Sequence, residues 1–232
     1  MLAMDLTRRA RIYMLAPPGA GKGTLSAKLV SRFPSLEAIG SGELLRHHIH
    51  QKTDLGKKAE SMVAQGGFVD DHLMVELITT QLRAANFLGI AGKGRSFILD
   101  GFPRTLPQAR MLNDMLRQNN APLNFVVNLI VPRDAIMQRI EQRWVHSPSG
   151  RVYNLTYNKP KNDGVDNITG EALTKRPDDN PHTYQKRLDV YEKSTSPLRD
   201  YYDKLGILWT VSGDTSAIIW PQLEAETLAR FK

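Results

Sequence analysis

The 232-residue sequence contains no cysteine, which excludes disulfide bonds and thiolate metal ligands. It also lacks an apolar run long enough to cross a bilayer, so we expect no membrane insertion. Repeats and low-complexity tracts are absent as well. Hydrophobic residues make up 41% of the chain and charged residues 24%, an ordinary balance for a globular protein that buries a sizeable core.

Acidic residues are in the minority, with 24 Asp and Glu against 31 Lys and Arg, for a formal net charge of +7. A basic surface attracts nucleic acid, anionic lipid or phosphorylated small molecules, and charge alone does not choose among them. The N-terminus carries Arg8, Arg9 and Arg11 against Asp5. It lacks the apolar stretch of a secretory signal and is short for a mitochondrial transit peptide, so targeting stays open on this evidence.

Short apolar runs bounded by Gly, Pro or charged residues predict buried parallel strands. These runs lie at residues 12–16, 36–39, 97–99, 125–131 and 207–211. Helical patterns lie at residues 23–33, 106–118, 134–143 and 181–205. Strands that alternate with helices predict a doubly wound α/β fold, in which helices flank a central five-stranded parallel sheet.

Two stretches interrupt this alternation. Residues 41–88 predict helices without a strand, whereas residues 144–180 are rich in Gly, Pro, Asn, Asp and Thr, with short alternating pieces. Long excursions of this kind are usually functional or disordered. We therefore interpret both stretches as insertions into the sheet framework.

The segment APPGAGKGT, at residues 16–24, lies between the first predicted strand and the first helix, as a phosphate-binding loop requires. Glycines let the backbone N–H groups turn toward a phosphate, and the helix adds its positive end. Lys22 can reach the β- and γ-phosphates, and Thr24 offers a hydroxyl near the metal. Ala16 stands where the general pattern has Gly, and Gly23 separates the Lys from the Thr. The alternative interpretation is an ordinary Gly-rich turn.

Residues 19–24 resemble the phosphate loop of the adenylate kinase family, and three more blocks follow in that family's order. They are SGELLR at residues 41–46, DGFPRT at 100–105 followed by Gln108, and RWVH with SGRVY within 143–153. Arg176, Asp178, Asp179 and Arg187 complete the pattern. The resemblance covers roughly residues 11–231. The sequence departs from the family at three positions: Ala16 replaces a Gly, Glu43 replaces an Asp, and Gly67 lies where many members have Lys.

Within the family, the sequence is similar to the long-lid type and most resembles the mitochondrial GTP:AMP phosphotransferases. Leu25 stands where members that use ATP usually carry Gln, and Trp144, residues 153–154 and residues 219–221 also match this subgroup. The resemblance implies a mitochondrial matrix location, with the cytoplasm as the alternative. It also implies GTP as the preferred donor, with ITP or ATP as alternatives.

The resemblance further implies a division of the chain and a role for each motif. Residues 1–40, 73–143 and 182–232 would form the core, 41–72 a helical AMP-binding insertion, and 144–181 a small β-rich lid. The catalytic group would be Lys22, Asp100, Arg104, Arg143, Arg176 and Arg187. The donor site would comprise Gly19, Ala20, Gly21, Lys22, Gly23, Thr24, Arg139, Arg143, Val152, Tyr153 and Thr215. The AMP site would comprise Ser41, Arg46, Gly67, Phe68, Val69, Gly101, Arg104, Gln108, Arg176 and Arg187.

These residue types suit phosphoryl transfer between two polyanions. The AMP phosphate is already an ionised nucleophile, so the protein must supply alignment and charge neutralisation rather than a general base. Arginine binds phosphate oxygens in pairs through its planar fork. Mg²⁺ is expected to arrive with the nucleotide and to be held through water near Thr24 and Asp100, with no direct protein ligand.

His146, Ser149, Asp166 and Thr169 show the spacing of a four-cysteine zinc site found in related lids. Because Ser and Thr are poor zinc ligands, we expect a hydrogen-bonded cluster at these positions and no structural zinc. The alternative is four unrelated polar residues in a loop.

Three rival functions remain at this stage. One is a kinase for another monophosphate, UMP or CMP. Another is a nucleotide-dependent switch or assembly factor that keeps the loop without transfer, which Ala16 invites. The third is a nucleic-acid-binding module, although no basic–aromatic platform or helix-turn-helix pattern is present. We expect a monomer whose partners are GTP or ATP and AMP, without nucleic acid.

Overall fold

The computed structural model describes residues 3–64, 69–88, 95–176 and 179–232, and only the backbone of 61–64. Numbered in chain order, its strands are β1 (Arg11–Leu15), β2 (Leu36–Gly40), β3 (Ser96–Asp100), β4 (Phe125–Ile130), β5 (Arg143–Val145), β6 (Val152–Asn154) and β7 (Leu208–Ser212). Five of them form one parallel sheet in the order β2-β3-β1-β4-β7. The predicted five-stranded parallel sheet is thus confirmed, and each predicted run overlaps one of its strands.

The helices are α1 (Lys22–Arg32), α2 (Ser41–His50), α3 (Asp54–Ala64), α4 (Asp71–Ala84), α5 (Leu106–Gln118), α6 (Arg133–Glu141), α7 (Pro181–Ser194), α8 (Leu198–Lys204) and α9 (Ser216–Phe231). The single helix predicted over 181–205 is wrong, because α7 ends at Ser194 and α8 begins at Leu198. Pro197 lies between them, and a proline lacks the N–H that the helix needs and clashes with the preceding turn. The helix predicted to reach Arg143 ends two residues earlier, and Arg143 begins β5 instead. Helix α9 was not predicted, since Pro221 interrupts its pattern.

Both faces of the sheet are buried. On the central strand β1, Ile12 and Met14 pack in the same cluster as α1 and α9, whereas Tyr13 and Leu15 pack in the cluster of α4 and α5. These four side chains are at most 2% exposed. A parallel sheet covered on both faces leaves the carboxyl ends of its strands as the natural place for a ligand.

The two stretches that interrupt the alternation differ in structure, as predicted. Helices α2, α3 and α4 follow β2, and the described part of residues 41–88 contains no strand. In residues 144–180, β6 pairs antiparallel with β5, and isolated bridges join Val145 to Thr174 and Val165 to Ala172. Across the described ranges of the chain, no helix combines the length and apolar character that a membrane crossing needs.

Candidate active site

A cavity of about 1220 Å³ lies at the carboxyl ends of the sheet strands. Ligand pockets commonly measure roughly 300–1,000 Å³, so this one has room for more than a single nucleotide. Most of the predicted site residues line it: Gly19, Gly21, Lys22, Gly23, Thr24, Ser41, Arg46, Val69, Asp100, Gly101, Arg104, Gln108, Arg139, Arg143, Val152, Arg176 and Arg187.

Residues 16–24 form a loop in which two glycines are required by the backbone. Gly19 and Gly21 have φ of 80° and 92°, in the left-handed region that disfavours other residues. A Cβ on Gly21 would also lie 2.8 Å from Ser216 Oγ. Gly21 caps α1 without a side-chain hydrogen bond, so the first N–H groups of α1 keep capacity for an anion. Ala16 has no positive φ, and its methyl group is accommodated in the core.

Lys22 spans this loop. Its Nζ donates hydrogen bonds of 2.9 Å to the carbonyl oxygens of both Ala16 and Pro17. The pKa of Lys22 is lowered to about 8, chiefly by burial and also by the positive charge of Arg104, while Asp100 opposes the shift. The ammonium group therefore stands in a strongly cationic setting, in which an anionic ligand would restore its ordinary basicity.

Asp100 ends β3 and lines the cavity beside the loop. Burial raises the pKa of its carboxyl group, and the charges of Lys22, Arg104 and Arg46 pull that pKa down. Thr24 supplies a second oxygen on the same wall. Two hard oxygen groups fit Mg²⁺ held partly through water. Among the described residues, no group of three or more His, Asp or Glu side chains could hold a metal ion.

Two residues that carried no predicted role position the arginines. Asp179, whose side chain is fully buried, pairs in two hydrogen bonds with Arg143, of which Nε to Oδ2 measures 2.8 Å. The ring of Tyr184 lies 5.7 Å from Arg143 Cζ and 5.1 Å from Arg187 Cζ. Tyr184 lies three residues before Arg187 on α7, so their helical spacing would have placed them on one face. Asp179 matched the family pattern but received no role.

The other end of the cavity contains several of the predicted AMP residues, among them Ser41, Arg104 and Gln108. Ser41 is buried, and its Oγ has no hydrogen-bond partner among the described residues. Such a group is expected to find its partner in water or a ligand. Arg104 Nε donates to the Gly101 carbonyl oxygen at 2.6 Å, which folds its side chain back toward β3. Gly67 and Phe68 lie outside the described residues.

Three predicted donor-site residues do not line the cavity. Ala20 packs in the hydrophobic core. Tyr153 turns its hydroxyl to Asp166 at 2.8 Å, and Thr215 caps α9 by accepting from the N–H of Ile218. Arg139 lines the cavity and donates to the carbonyl oxygen of Asp214, the residue before Thr215.

The predicted hydrogen-bonded cluster in the lid segment, residues 144–181, is confirmed. His146 Nδ1 lies 2.7 Å from Ser149 Oγ, and its Nε2 lies 3.3 Å from Thr169 Oγ1. Thr169 in turn donates to Asp166 Oδ2 at 3.1 Å.

Asp166, one of the four predicted positions, is the centre of this cluster, a role that the spacing did not predict. Arg151 donates to both of its carboxylate oxygens, at 2.8 and 2.7 Å, and the backbone N–H groups of Ile168 and Thr169 donate as well. These hydrogen bonds, that of Arg151 foremost, hold the pKa of Asp166 well below its usual range. His146 also contacts Glu171 at 2.5 Å. The cluster is therefore wider than the four positions that the spacing indicated.

A glycine-rich loop at the start of a helix, beneath a cavity walled by lysine and arginine, defines a P-loop nucleotide-binding protein. A family profile described as "Adenylate kinase" matches residues 14–207. The chain therefore belongs to the adenylate kinase family.

Individual relatives cover nearly the whole chain. The chain is 49% identical over 218 residues to a protein of Saccharomyces cerevisiae named "GTP:AMP phosphotransferase, mitochondrial". The matched region covers 94% of this chain and 92% of the relative. A Drosophila melanogaster protein of the same name is 37% identical over 94% of this chain and 95% of the relative. A Yarrowia lipolytica protein named "Adenylate kinase" is 40% identical over 89% of this chain and 80% of the relative.

Proposed function

We propose that the chain transfers the γ-phosphoryl group of a nucleoside triphosphate, preferably GTP, to AMP, giving a nucleoside diphosphate and ADP. The observation that carries this proposal is one continuous cavity with the phosphate loop at one end and Ser41 and Gln108 at the other. Arginines line it between the two ends. Names of relatives from yeast and fly support AMP as acceptor and GTP as donor.

In this mechanism the donor triphosphate lies on the loop. The N–H groups at the start of α1 and the ammonium of Lys22 face the β- and γ-phosphates. To do so, Lys22 exchanges its hydrogen bonds with the Ala16 and Pro17 carbonyl oxygens for phosphate oxygens. That exchange costs little, because one set of oxygen acceptors replaces another.

The acceptor is AMP, whose ionised phosphate oxygen attacks the γ-phosphorus. The bond from the γ-phosphorus to the β–γ bridging oxygen breaks, and the diphosphate leaves with the bonding electrons. No proton has to move. Arg104 and Arg46 hold the AMP phosphate, while Arg143, Arg176 and Arg187 neutralise the transferring group, so that two polyanions can align in line.

Mg²⁺ would be held through water by Thr24 and Asp100, and it supplies neutralisation of the β- and γ-phosphate oxygens. Asp100 suits this role because, although burial raises the pKa of its carboxyl group, Lys22, Arg104 and Arg46 oppose that rise and so support the ionised form. The protein contributes orientation there rather than a direct metal ligand.

A steady-state assay tests the proposal, with AMP as acceptor and GTP, ITP or ATP as donor. We expect ADP to form fastest with GTP. Lys22→Met should lower kcat by about 100-fold or more, since it removes one charge-stabilising donor. A clear preference for ATP would contradict the GTP assignment, and preference for UMP or CMP would contradict the AMP assignment. Absence of transfer with every donor would favour a nucleotide-binding factor.

The division of the chain and its location belong to the same proposal. Residues 41–72 and 144–181 are proposed to close over AMP and donor, and so to exclude water from the transfer. Nucleotides are the proposed partners of a monomeric protein. The relatives' names support a mitochondrial location, and the matrix is the proposed compartment. Fractionation of cells that express the tagged chain, with separation of the matrix from the other mitochondrial compartments, tests it.

A further inference from the structure

The side-chain amide of Gln108, at the acceptor end of the cavity, is held on both sides by groups of fixed polarity. Gln108 is only 2% exposed. Its Oε1 accepts from the backbone N–H of Arg104 at 2.7 Å, and its Nε2 donates to Asp71 Oδ1 at 2.7 Å. A backbone N–H only donates and a carboxylate only accepts, so a single amide orientation satisfies both contacts.

Asp71 is itself held in place. It is the first residue of α4, and Thr105 Oγ1 lies 3.1 and 3.2 Å from its two carboxylate oxygens. Thr105 also caps α5, the helix that carries Gln108. Of the three residues Asp71, Thr105 and Gln108, it is Gln108 that lines the cavity, so the contact of Asp71 with a ligand runs through Gln108.

The fixed amide still has capacity for a ligand. Its nitrogen carries a second hydrogen and its oxygen a second lone pair, so it can offer one donor and one acceptor. The adenine edge presents the complementary pair, an N6 amino donor beside the N1 acceptor. Hypoxanthine and guanine present the reverse, an O6 acceptor beside an N1–H donor. Matching that reversed edge would require the amide to flip.

A flip is opposed on both sides. It would bring Oε1 against the carboxylate of Asp71 and the NH₂ group against the N–H of Arg104, which pairs acceptor with acceptor and donor with donor. We propose that Asp71 is a positioning residue that locks the Gln108 amide and so makes the acceptor site selective for AMP over IMP. This inference rests on the proposed function in one respect, that Gln108 faces the acceptor base.

The test uses Asp71→Asn, whose side chain can turn either its oxygen or its NH₂ group toward Gln108. AMP and IMP affinities are measured by calorimetry, and kcat and KM with GTP as donor. We expect the ratio of the two dissociation constants, IMP over AMP, to fall about ten- to 100-fold, the discrimination carried by one bidentate pair. The kcat for AMP should stay near the wild-type value, with the change appearing in KM.

The matched control is Asp70→Asn, the same substitution one residue earlier. Asp70 is exposed and accepts from the N–H groups of His72 and Leu73 at the start of α4, a role that Asn also fills. Its selectivity ratio should equal that of wild type. Asp71→Glu, which keeps an acceptor-only carboxylate, should retain most of the selectivity. If Asp71→Asn does not fold, Asp71→Ser gives the same test, since a hydroxyl also donates or accepts.

Each result decides the matter. An equal loss of affinity for AMP and IMP in Asp71→Asn would show a structural role only and overturn the lock. A wild-type protein that binds IMP as tightly as AMP would also overturn it. A wild type that binds AMP selectively but forms no ADP would remove the proposed function, while the binding ratio in Asp71→Asn would still decide on the lock.

Discussion

Lys22 is the residue whose protonation controls donor binding in the proposed mechanism. Its pKa is about 8, below the ordinary 10.5, because of burial and neighbouring arginines. Above pH 8 the free protein loses this charge, whereas a bound polyphosphate would retain it. The dissociation constant of the GTP–magnesium complex should therefore rise about tenfold per pH unit above pH 8. Calorimetric titrations from pH 7 to 9.5 measure this.

Lys22→Arg is the control, because a guanidinium stays protonated throughout this range. Tyr184, the phenol beside the loop, does not interfere, since burial raises its pKa. If the dissociation constant of Lys22→Arg rose with pH as steeply as that of the wild type, the pH dependence would belong to another group. The same shift has a consequence for folding: between pH 8 and 10.5 the unliganded protein should gain stability as pH rises, because the folded state releases the proton first.

At single residues, the sequence located charges better than the groups that hold them. Lys22 and Arg143 were recognised because each lies in a contiguous motif. Asp179 and Tyr184 position Arg143 from a different stretch of chain, and such pairing depends on tertiary packing that local spacing does not encode. Ala16 shows the converse case, since its departure from the motif causes no backbone strain.

At the scale of elements, the lid segment depends on Asp166, which accepts from Arg151, Tyr153 and Thr169 and from two backbone N–H groups. Asp166→Ala would leave these donors, among them the buried hydroxyl of Tyr153, without their acceptor. We expect amide hydrogen exchange in residues 145–175 to accelerate by at least about tenfold, while exchange in the central sheet stays unchanged. The kcat should fall with it, because the lid segment carries Arg176.

Asp163→Asn, an exposed carboxylate of the same segment, is the control and should leave exchange at the wild-type rate. The depressed pKa of Asp166 also sets a sign for pH dependence. Its contribution is fully present above about pH 4, the unfolded value, and is lost as pH falls further. If amide hydrogen exchange in Asp166→Ala accelerated as much in the central sheet as in the lid segment, the lid segment and the core would unfold as one unit.

The elements themselves were predictable where one local signal dominated. Buried strands such as Phe125–Ile130 form apolar runs, and α5 begins and ends where its pattern predicted. The prediction of one helix over 181–205 is wrong because the charged helical periodicity continues across Pro197. That periodicity does not register the proline, which lies in the break between α7 and α8. The cluster around Asp166 was only partly foreseen, because Arg151 and Glu171 reach it through the fold of the lid segment rather than through spacing.

At the scale of the whole molecule, charge imbalance across the cavity should govern its closure. Nine basic side chains line the cavity against three acidic ones. Two of the nine, Arg143 and Arg151, are paired with Asp179 and Asp166 behind the cavity wall, which reduces the imbalance without removing it. The lid segment nevertheless approaches α2, since a Cβ on Gly150 would lie 3.5 Å from Glu43 Oε1. Without an anion, repulsion among these cations opposes that approach, so the free protein should sample open arrangements that a polyanion closes.

The absence of cysteine allows a direct measurement. Dyes on His50→Cys, at the end of α2, and Ile168→Cys, in the lid segment, report the distance across the mouth. A dinucleotide that joins adenosine and guanosine through five phosphates should raise energy transfer at low salt, and 1 M KCl should produce part of that rise, because it shortens the screening length to about 3 Å. Adenosine, which has no phosphate, should leave the energy transfer unchanged.

For the protein to move from mostly open to mostly closed, the dinucleotide must bind the closed form about 10⁴-fold more tightly than the open form, a difference of about 5.5 kcal/mol. Two or three charge-assisted hydrogen bonds of about 1.5–3 kcal/mol each supply that much, so arginines brought in by closure suffice. Energy transfer that responds to neither salt nor dinucleotide would mean that the cavity is rigid, and that the cationic wall aligns phosphates without any motion.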